Sequence, residues 1–167
     1  KLGVAISTSG PGGMNFVTPI GNCYYDSVPV LFITGQINST FLRPDPSIRQ
    51  VGFQETDIVG IVKPITKYAT MVKNPADIKY ELDKAMFMAR DKRPGPVLLD
   101  IPIDVQKKEI DPATLIGFDP SSLKPHYDTD AIEAAIEQYL KDLSVAKRPV
   151  MMIGGGVRIA GAVEPLL

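Results

Sequence analysis

Nine residues near the start of the chain, Ser7-Thr8-Ser9-Gly10-Pro11-Gly12-Gly13-Met14-Asn15, restrict the fold more than any other stretch. A short apolar run, Leu2 to Ile6, leads in and reads as a buried strand. A helically periodic run, Met14 to Tyr25, leads out. Strand, glycine-rich turn and helix start form the unit with which open α/β sheets hold ligands at the carboxyl ends of their strands. The same turn also serves chains that bind nothing, so its chemistry has to be read. No Gly-Lys-Ser/Thr follows, which excludes the phosphate loop of nucleotide hydrolases. The Gly-x-Gly-x-x-Gly spacing also fails, because Met14, Asn15 and Phe16 follow Gly10, Gly12 and Gly13. Pro11 has no N–H to offer a phosphate. It offers a flat apolar face between glycines, and Asn15 offers a donor and an acceptor. The loop suits an aromatic heterocycle better than a phosphate.

Further along, Pro29 to Thr34 is a continuous apolar run, the pattern of a parallel strand covered on both faces, and Val97 to Ile101 reads as a further buried strand ended by Pro102. Pro19 within the Met14–Tyr25 pattern requires a kink or a late helix start. Gly35 to Gly52 reads as a long functional loop, since loops of that length are rarely idle. A short apolar helical turn spans Ile58 to Val62, and Ile65 to Val72 alternates like a strand. Asn74-Pro75 opens a helix with Ile78, Leu82, Ala85, Met86 and Ala89 on one face. Arg93-Pro94-Gly95-Pro96 ends it. From Gln106 to Tyr127 periodicity gives way to Asp, Pro, Ser and Lys, the signature of a linker. A second amphipathic helix follows, capped near Asp128, with Ile132, Ala135, Ile136, Tyr139, Leu140 and Leu143 facing inward. Pro149 to Ile153 reads as a strand, with Gly154-Gly155-Gly156 turning at its end. The fold class is α/β, a parallel sheet with flanking helices.

A net charge of -1 and the lack of a basic run exclude a nucleic-acid surface. No apolar stretch reaches the length of a membrane span. The single cysteine, Cys23, has no partner within the chain and fits a reducing cytoplasm. His126, the only histidine, lies in the linker and reads as a solvated residue, because one histidine cannot build a metal site. The chain enters a strand almost at Lys1 and stops at Leu167 soon after a glycine turn, so we expect a piece of a longer polypeptide.

Several motifs occur together in one order: Ser9-Gly10-Pro11-Gly12 with Asn15, Asp26-Ser27-Val28-Pro29, Ile33-Thr34-Gly35-Gln36, Phe53-Gln54-Glu55-Thr56-Asp57, Ile65-Thr66-Lys67, Arg93-Pro94-Gly95-Pro96-Val97 and Gly154-Gly155-Gly156. In this the chain resembles the thiamine diphosphate enzymes of the acetohydroxyacid synthase (acetolactate synthase) type. The resemblance implies that residues 1–108 are the later part of a pyrimidine-binding domain, 109–128 a linker, and 129–167 the start of a Rossmann-like central domain. It implies an enzyme that decarboxylates a 2-keto acid such as pyruvate and joins the product carbon to an acceptor carbonyl, working as a homodimer or homotetramer.

By the same resemblance, Gly10, Pro11, Gly12 and Asn15 match the loop against the aminopyrimidine ring, with Phe53 beside them. Gln54 matches a position lining the active site from the neighbouring subunit, and Lys67 a lysine near that cavity. Arg93 and Gly154, Gly155 and Gly156 match positions that contact FAD in the flavin-containing members. No metal ligand is expected here, since the family's Mg²⁺ and diphosphate motif would lie beyond Leu167. Its cofactor-activating glutamate would precede Lys1, and Glu55 stands in the wrong motif to replace it. Met14, Asn38 and Ile103 depart from the family's usual threonine, proline and lysine and leave the keto acid and acceptor open. Pyruvate oxidase, glyoxylate carboligase and simple 2-keto acid decarboxylases share much of this pattern. A non-catalytic α/β interaction module is the competing class.

Overall fold

Strand–turn–helix alternation in the first part of the sequence produces an all-parallel sheet. In the computed structural model, which describes residues 1–123 and 128–167, the order of elements is β1 (Gly3–Ser7), α1 (Pro11–Met14), α2 (Val17–Tyr25), β2 (Val30–Gln36), α3 (Ile58–Val62), β3 (Tyr68–Met71), α4 (Ile78–Arg90), β4 (Val97–Pro102) and α5 (Ile103–Gln106). Spatially the strands run β1-β2-β4-β3. Ile6 lies opposite Ile33, and Ile33 opposite Leu99, so one register runs across the sheet. Because every pair is parallel, all carboxyl ends share one edge and all amino ends the other.

The two apolar strands are central because both of their faces are covered. On one face Phe32 and Leu98 pack with Ile20 of α2 and Ile58 and Val62 of α3. On the other, Leu31, Val97 and Leu99 pack with Ala85 and Ala89 of α4. The two alanines let α4 approach the sheet closely. Truncating a fully buried side chain such as Leu98 costs about 2–5 kcal/mol.

Local chemistry sets the boundaries. The single helix expected from Met14 to Tyr25 is two helices, with Asn15 closing α1 and Phe16 opening α2. Pro19 thereby falls in the first turn of α2, where its missing N–H leaves no bond unmade. β3 begins at Tyr68 rather than Ile65, since Pro64 holds Lys63–Ile65 in a 3₁₀ turn. Asn74 caps its turn as expected, its side chain accepting from the Ala76 N–H at 3.1 Å.

The chain divides into two compact units, Lys1–Lys124 and Pro125–Leu167. Most of the segment read as a linker therefore belongs to the first unit. Phe118 packs edge-on to Tyr80 and against Phe87, with ring centroids 5.6 and 5.7 Å away, and Lys79 Nζ donates to the Leu115 carbonyl at 3.3 Å. One aromatic anchor docks an otherwise polar stretch on α4. His126 lies outside the described residues.

The second unit contains α6 (Thr129–Val145), α7 (Gly156–Ile159) and α8 (Val163–Leu166). Asp128 caps α6, accepting from the Ala131 N–H at 2.9 Å. Two expectations fail here. Ile132, Ile136, Tyr139, Leu140 and Leu143 are exposed rather than inward. Pro149 to Ile153 forms no strand, and Val150 and Met152 are 95% and 97% exposed. A parallel strand needs a neighbour to complete its hydrogen bonds, and among the described residues of this unit there is none. No helix among the described residues is long and apolar enough to cross a membrane.

Candidate cofactor site

At the carboxyl edge of the sheet the chain leaves β1 through the glycine loop. Three of its backbone donors are used within the loop: Gly12 N–H bonds to the Ser9 carbonyl, Met14 N–H to Gly10 and Asn15 N–H to Pro11. Asn15 Nδ2 also donates to the Pro11 carbonyl, at 3.0 Å. Because Pro11 lacks an N–H, the loop has one donor fewer to offer a phosphate. Its outward surface is formed by the exposed side chains of Pro11, Met14 and Asn15. That surface fits the face and edge of an aromatic heterocycle.

The long β2–α3 connection returns to the same edge. Gly10 and Gln54 both have left-handed backbones, with φ of 59° and 64°. They lie so close that a Cβ on Gly10 would come within 2.8 Å of the Gln54 carbonyl oxygen. Phe53, 86% exposed, stands next to this contact. The connection is pinned from inside by Glu55, whose carboxylate accepts from the N–H groups of Arg43 (2.7 Å), Val51 (2.8 Å) and Gly52 (3.4 Å). Burial pushes the Glu55 carboxyl up, but these hydrogen bonds, with Arg43 nearby, outweigh it and leave the group below its ordinary range. Arg43 also pairs with Asp57 at 3.3 Å, and Asp57 caps α3 through the Gly60 N–H.

Beneath the loops lies a buried polar cluster. Asp100 of β4 accepts from Thr34 Oγ1 at 2.7 Å and from Gln36 Nε2 at 2.9 Å. Gln36 Nε2 also donates to the Thr56 carbonyl at 2.8 Å, while Gln36 Oε1 accepts from the Ile37 N–H. Burial raises the Asp100 carboxyl to about 6, with Asp57 adding to the rise and the bonds from Thr34 and Gln36 opposing it. A cavity of about 500 Å³ opens between the ends of β1, β2 and β4, with Ile6, Ser9, Gly35, Ile37, Ile103 and Gln106 in its wall.

The residues singled out from the sequence thus separate into three groups. Gly10, Pro11, Gly12, Asn15, Phe53 and Gln54 meet at the carboxyl edge. Lys67 and Arg93 lie at the amino edge, just before β3 and β4. Lys67 Nζ donates to the Asp91 carbonyl, and burial together with Lys92 holds its ammonium below the ordinary 10.5 against the pull of Asp91. Arg93 Nε donates to Ser27 Oγ at 2.7 Å and Nη2 to the Tyr25 carbonyl at 3.4 Å, tying the β4 approach to the end of α2. Gly154, Gly155 and Gly156 belong to the second unit, where nothing lies within 4 Å of a Cβ added to any of them. No cluster of three or more His, Cys, Asp or Glu able to hold a metal occurs among the described residues.

Comparison with known proteins agrees with this geometry. Residues 1–61 match the family described as thiamine pyrophosphate enzyme, N-terminal TPP binding domain. The chain is 46% identical over 171 residues to the acetolactate synthase large subunit of Corynebacterium glutamicum, covering 99% of this chain and 25% of that protein. The similarity to acetolactate synthase large subunits runs along nearly the whole of this chain. The large subunit of Lactococcus lactis is 43% identical over 166 residues, with 98% of this chain and 27% of that protein covered. The probable large subunit of Methanocaldococcus jannaschii is 40% identical over 175 residues, with 100% and 27% covered. The chain spans about a quarter of the length of these relatives.

Three residues that hold the acetolactate synthase-like loops in place were not singled out as site residues from the sequence. Glu55 was read only as the wrong glutamate, yet it fixes the connection that carries Gln54. Gln36 stands in the sequence only within the Ile33-Thr34-Gly35-Gln36 motif, and Asp100 within the Val97–Ile101 strand. The one available signal is the position of Asp100, since a polar residue inside a buried strand must find a partner.

Proposed function

We propose that this chain is the ring-binding part of a thiamine diphosphate enzyme of the acetolactate synthase type, acting on a 2-keto acid such as pyruvate. The observation that carries the reading is the meeting of the Gly10–Asn15 loop with Phe53-Gln54 at the carboxyl edge of a parallel sheet. When bound, thiamine diphosphate supplies the electron sink for loss of CO₂ and formation of a carbon–carbon bond. In this reading Pro11 lies flat against the aminopyrimidine and Asn15 meets its polar edge. Phe53 shields the reacting region from water, and the Gln54 amide orients the keto acid. Ile103, in place of the family's lysine, stands in the cavity wall beside Ser9 and Gln106 and leaves the choice of keto acid and acceptor open.

Mg²⁺ and the diphosphate are held by residues outside this chain in the same reading, and Lys67 reaches a site only across a subunit contact of a homodimer or homotetramer in the cytoplasm. FAD is its second cofactor, supported by the open space around Gly154–Gly156 and by the Arg93 guanidinium at the surface. The test is a titration of the ¹⁵N-labelled chain with thiamine and, separately, with inorganic pyrophosphate. Thiamine is expected to shift the Gly10, Gly12, Asn15 and Gln54 amides, and pyrophosphate to leave them in place. Shifts with pyrophosphate alone, or none at this edge with thiamine, overturn the ring-platform reading.

A further inference from the structure

The buried cluster beneath the loops has a direction. Asp100, Thr34 and Gln36 lie on the two central strands, the most rigid part of the sheet, and all three are buried. Gln36 is the only one of them that reaches out of the strands. Its single Nε2 group donates to Asp100 and to the Thr56 carbonyl at once. Thr56 is two residues beyond Gln54, and Glu55 between them is locked by three backbone N–H groups. Gln54 is therefore followed directly by the pinned Glu55 and then by the Gln36–Thr56 bond, and it meets Gly10 in front. Without the Asp100 carboxylate, the Gln36 amide would keep only the Ile37 N–H, bonded to its Oε1, to fix its orientation toward Thr56.

We propose that Asp100 is a positioning residue for Gln54, acting through the Gln36 amide and the Thr56 carbonyl. Its meaning for catalysis rests on the reading of Gln54 as a site residue, but the mechanical coupling does not. The charged groups on the surrounding segments are Asp57, paired with Arg43, then Glu55, held by backbone, and Asp104 of α5, held by the Ser39 N–H and hydroxyl. Asp100 is raised while Glu55 and Asp104 are lowered, and no histidine occurs among the described residues.

The chemistry of the pair defines the variants. Asp100→Asn keeps the chain of bonds, because its oxygen accepts from Gln36 while the Thr34 hydroxyl turns round to accept from its amide. Asp100→Leu keeps much of the volume and removes every acceptor. The experiment follows the Gly10 and Gln54 amides and the Thr56 carbonyl carbon by NMR, together with the Asp100 carboxyl carbon across the acid range. In the wild-type chain the Gln54 and Thr56 signals should move with the same midpoint as the Asp100 carboxyl. Asp100→Asn should hold those signals near the positions that the wild type reaches below the midpoint and abolish the titration, whereas Asp100→Leu should displace them further or broaden them. A folded Asp100→Leu chain with unchanged Gln54 and Gly10 signals overturns the proposal, as does Asn disturbing them as much as Leu. Should Asp100→Leu not fold, the wild-type titration decides alone, and Gln54 and Thr56 signals that stay flat or move apart from the carboxyl overturn it. No cofactor enters these measurements, so their failure is distinct from failure of the thiamine titration.

Discussion

Gly10 and Gln54 face each other with left-handed backbones, and a Cβ on Gly10 would lie 2.8 Å from the Gln54 carbonyl oxygen and 2.9 Å from its Cβ. Two loops separated by more than forty residues thus close on each other through the one residue type that leaves room. Gly10→Ala would face both a backbone region unfavourable to side chains and a fixed neighbour. We expect a loss of about 1–3 kcal/mol in urea unfolding, the usual range for such strain. The Gln54 amide should shift even where the fold survives. A variant as stable as wild type with an unmoved Gln54 would show that the two loops are not in contact.

Every carboxylate described above at the carboxyl edge already has a protein partner. Glu55 holds three N–H groups, Asp100 holds Thr34 and Gln36, Asp57 holds Arg43 and Gly60, and Asp104 holds Ser39. Proton transfer at an aminopyrimidine needs a carboxyl aimed at the ring within hydrogen-bond reach. The 167-residue chain by itself should therefore release no CO₂ from pyruvate, even with thiamine diphosphate and Mg²⁺ added. Release above a buffer control would mean that one of these acids leaves its partner to act on the ring.

Much of this was legible in the sequence, for reasons that can be named. Pro29–Thr34 and Val97–Ile101 announced buried strands because a strand covered on both faces tolerates a nearly unbroken apolar run. The glycine loop announced its edge of the sheet because a strand running into such a turn has its carboxyl end there. What stayed hidden depends on distant pairing. Glu55 and Arg43 are 12 residues apart, Thr34 and Asp100 are 66, and neither spacing has a local signature. Lys67 illustrates a different limit. Its place in an alternating run marked a strand, but only the strand's direction shows that it falls at the amino edge, away from Gln54. Pro149–Ile153 reads as a strand by composition and is not one, since pairing is supplied by a neighbour and not by the segment itself.

The Asp100 carboxyl gives a pH dependence with a definite sign. Its value rises from the ordinary 3.8 to about 6 on folding, so between these limits the folded chain binds more protons than the unfolded one. Stability from this group therefore increases as pH falls from about 6 toward 4 and is absent above it. The shift corresponds to at most about 3 kcal/mol. The exposed Asp45, Asp104 and Asp119, held low by Ser47, Ser39 and Ser121, act in the opposite direction at lower pH. Urea unfolding of the wild type and of Asp100→Asn isolates the term. The difference between the two should change across pH 4 to 6 and be flat above 7, and a constant difference throughout would place the Asp100 transition elsewhere.

The last expectation concerns the free edge of the sheet. β1 ends the strand order and pairs only with β2, so its outer backbone groups face away from any strand of this chain. Its side chains give little protection. Val4 and Ile6 are 59% and 74% exposed, on the face that α4 covers only further along the sheet. An exposed apolar edge strand without a charge, a proline or a bulge is a template for pairing with another strand. The nearest charged residue, Lys1, precedes β1 and does not interrupt it. The 167-residue chain should therefore self-associate, with a sedimentation coefficient that rises with protein concentration. Val4→Lys with Ile6→Lys places two cations on that strand and should return the chain to a monomer while leaving its unfolding midpoint nearly unchanged, because neither residue is buried. A wild-type chain that sediments as a monomer at all concentrations, or a double variant that associates as strongly as wild type, would show that β1 is not the contact.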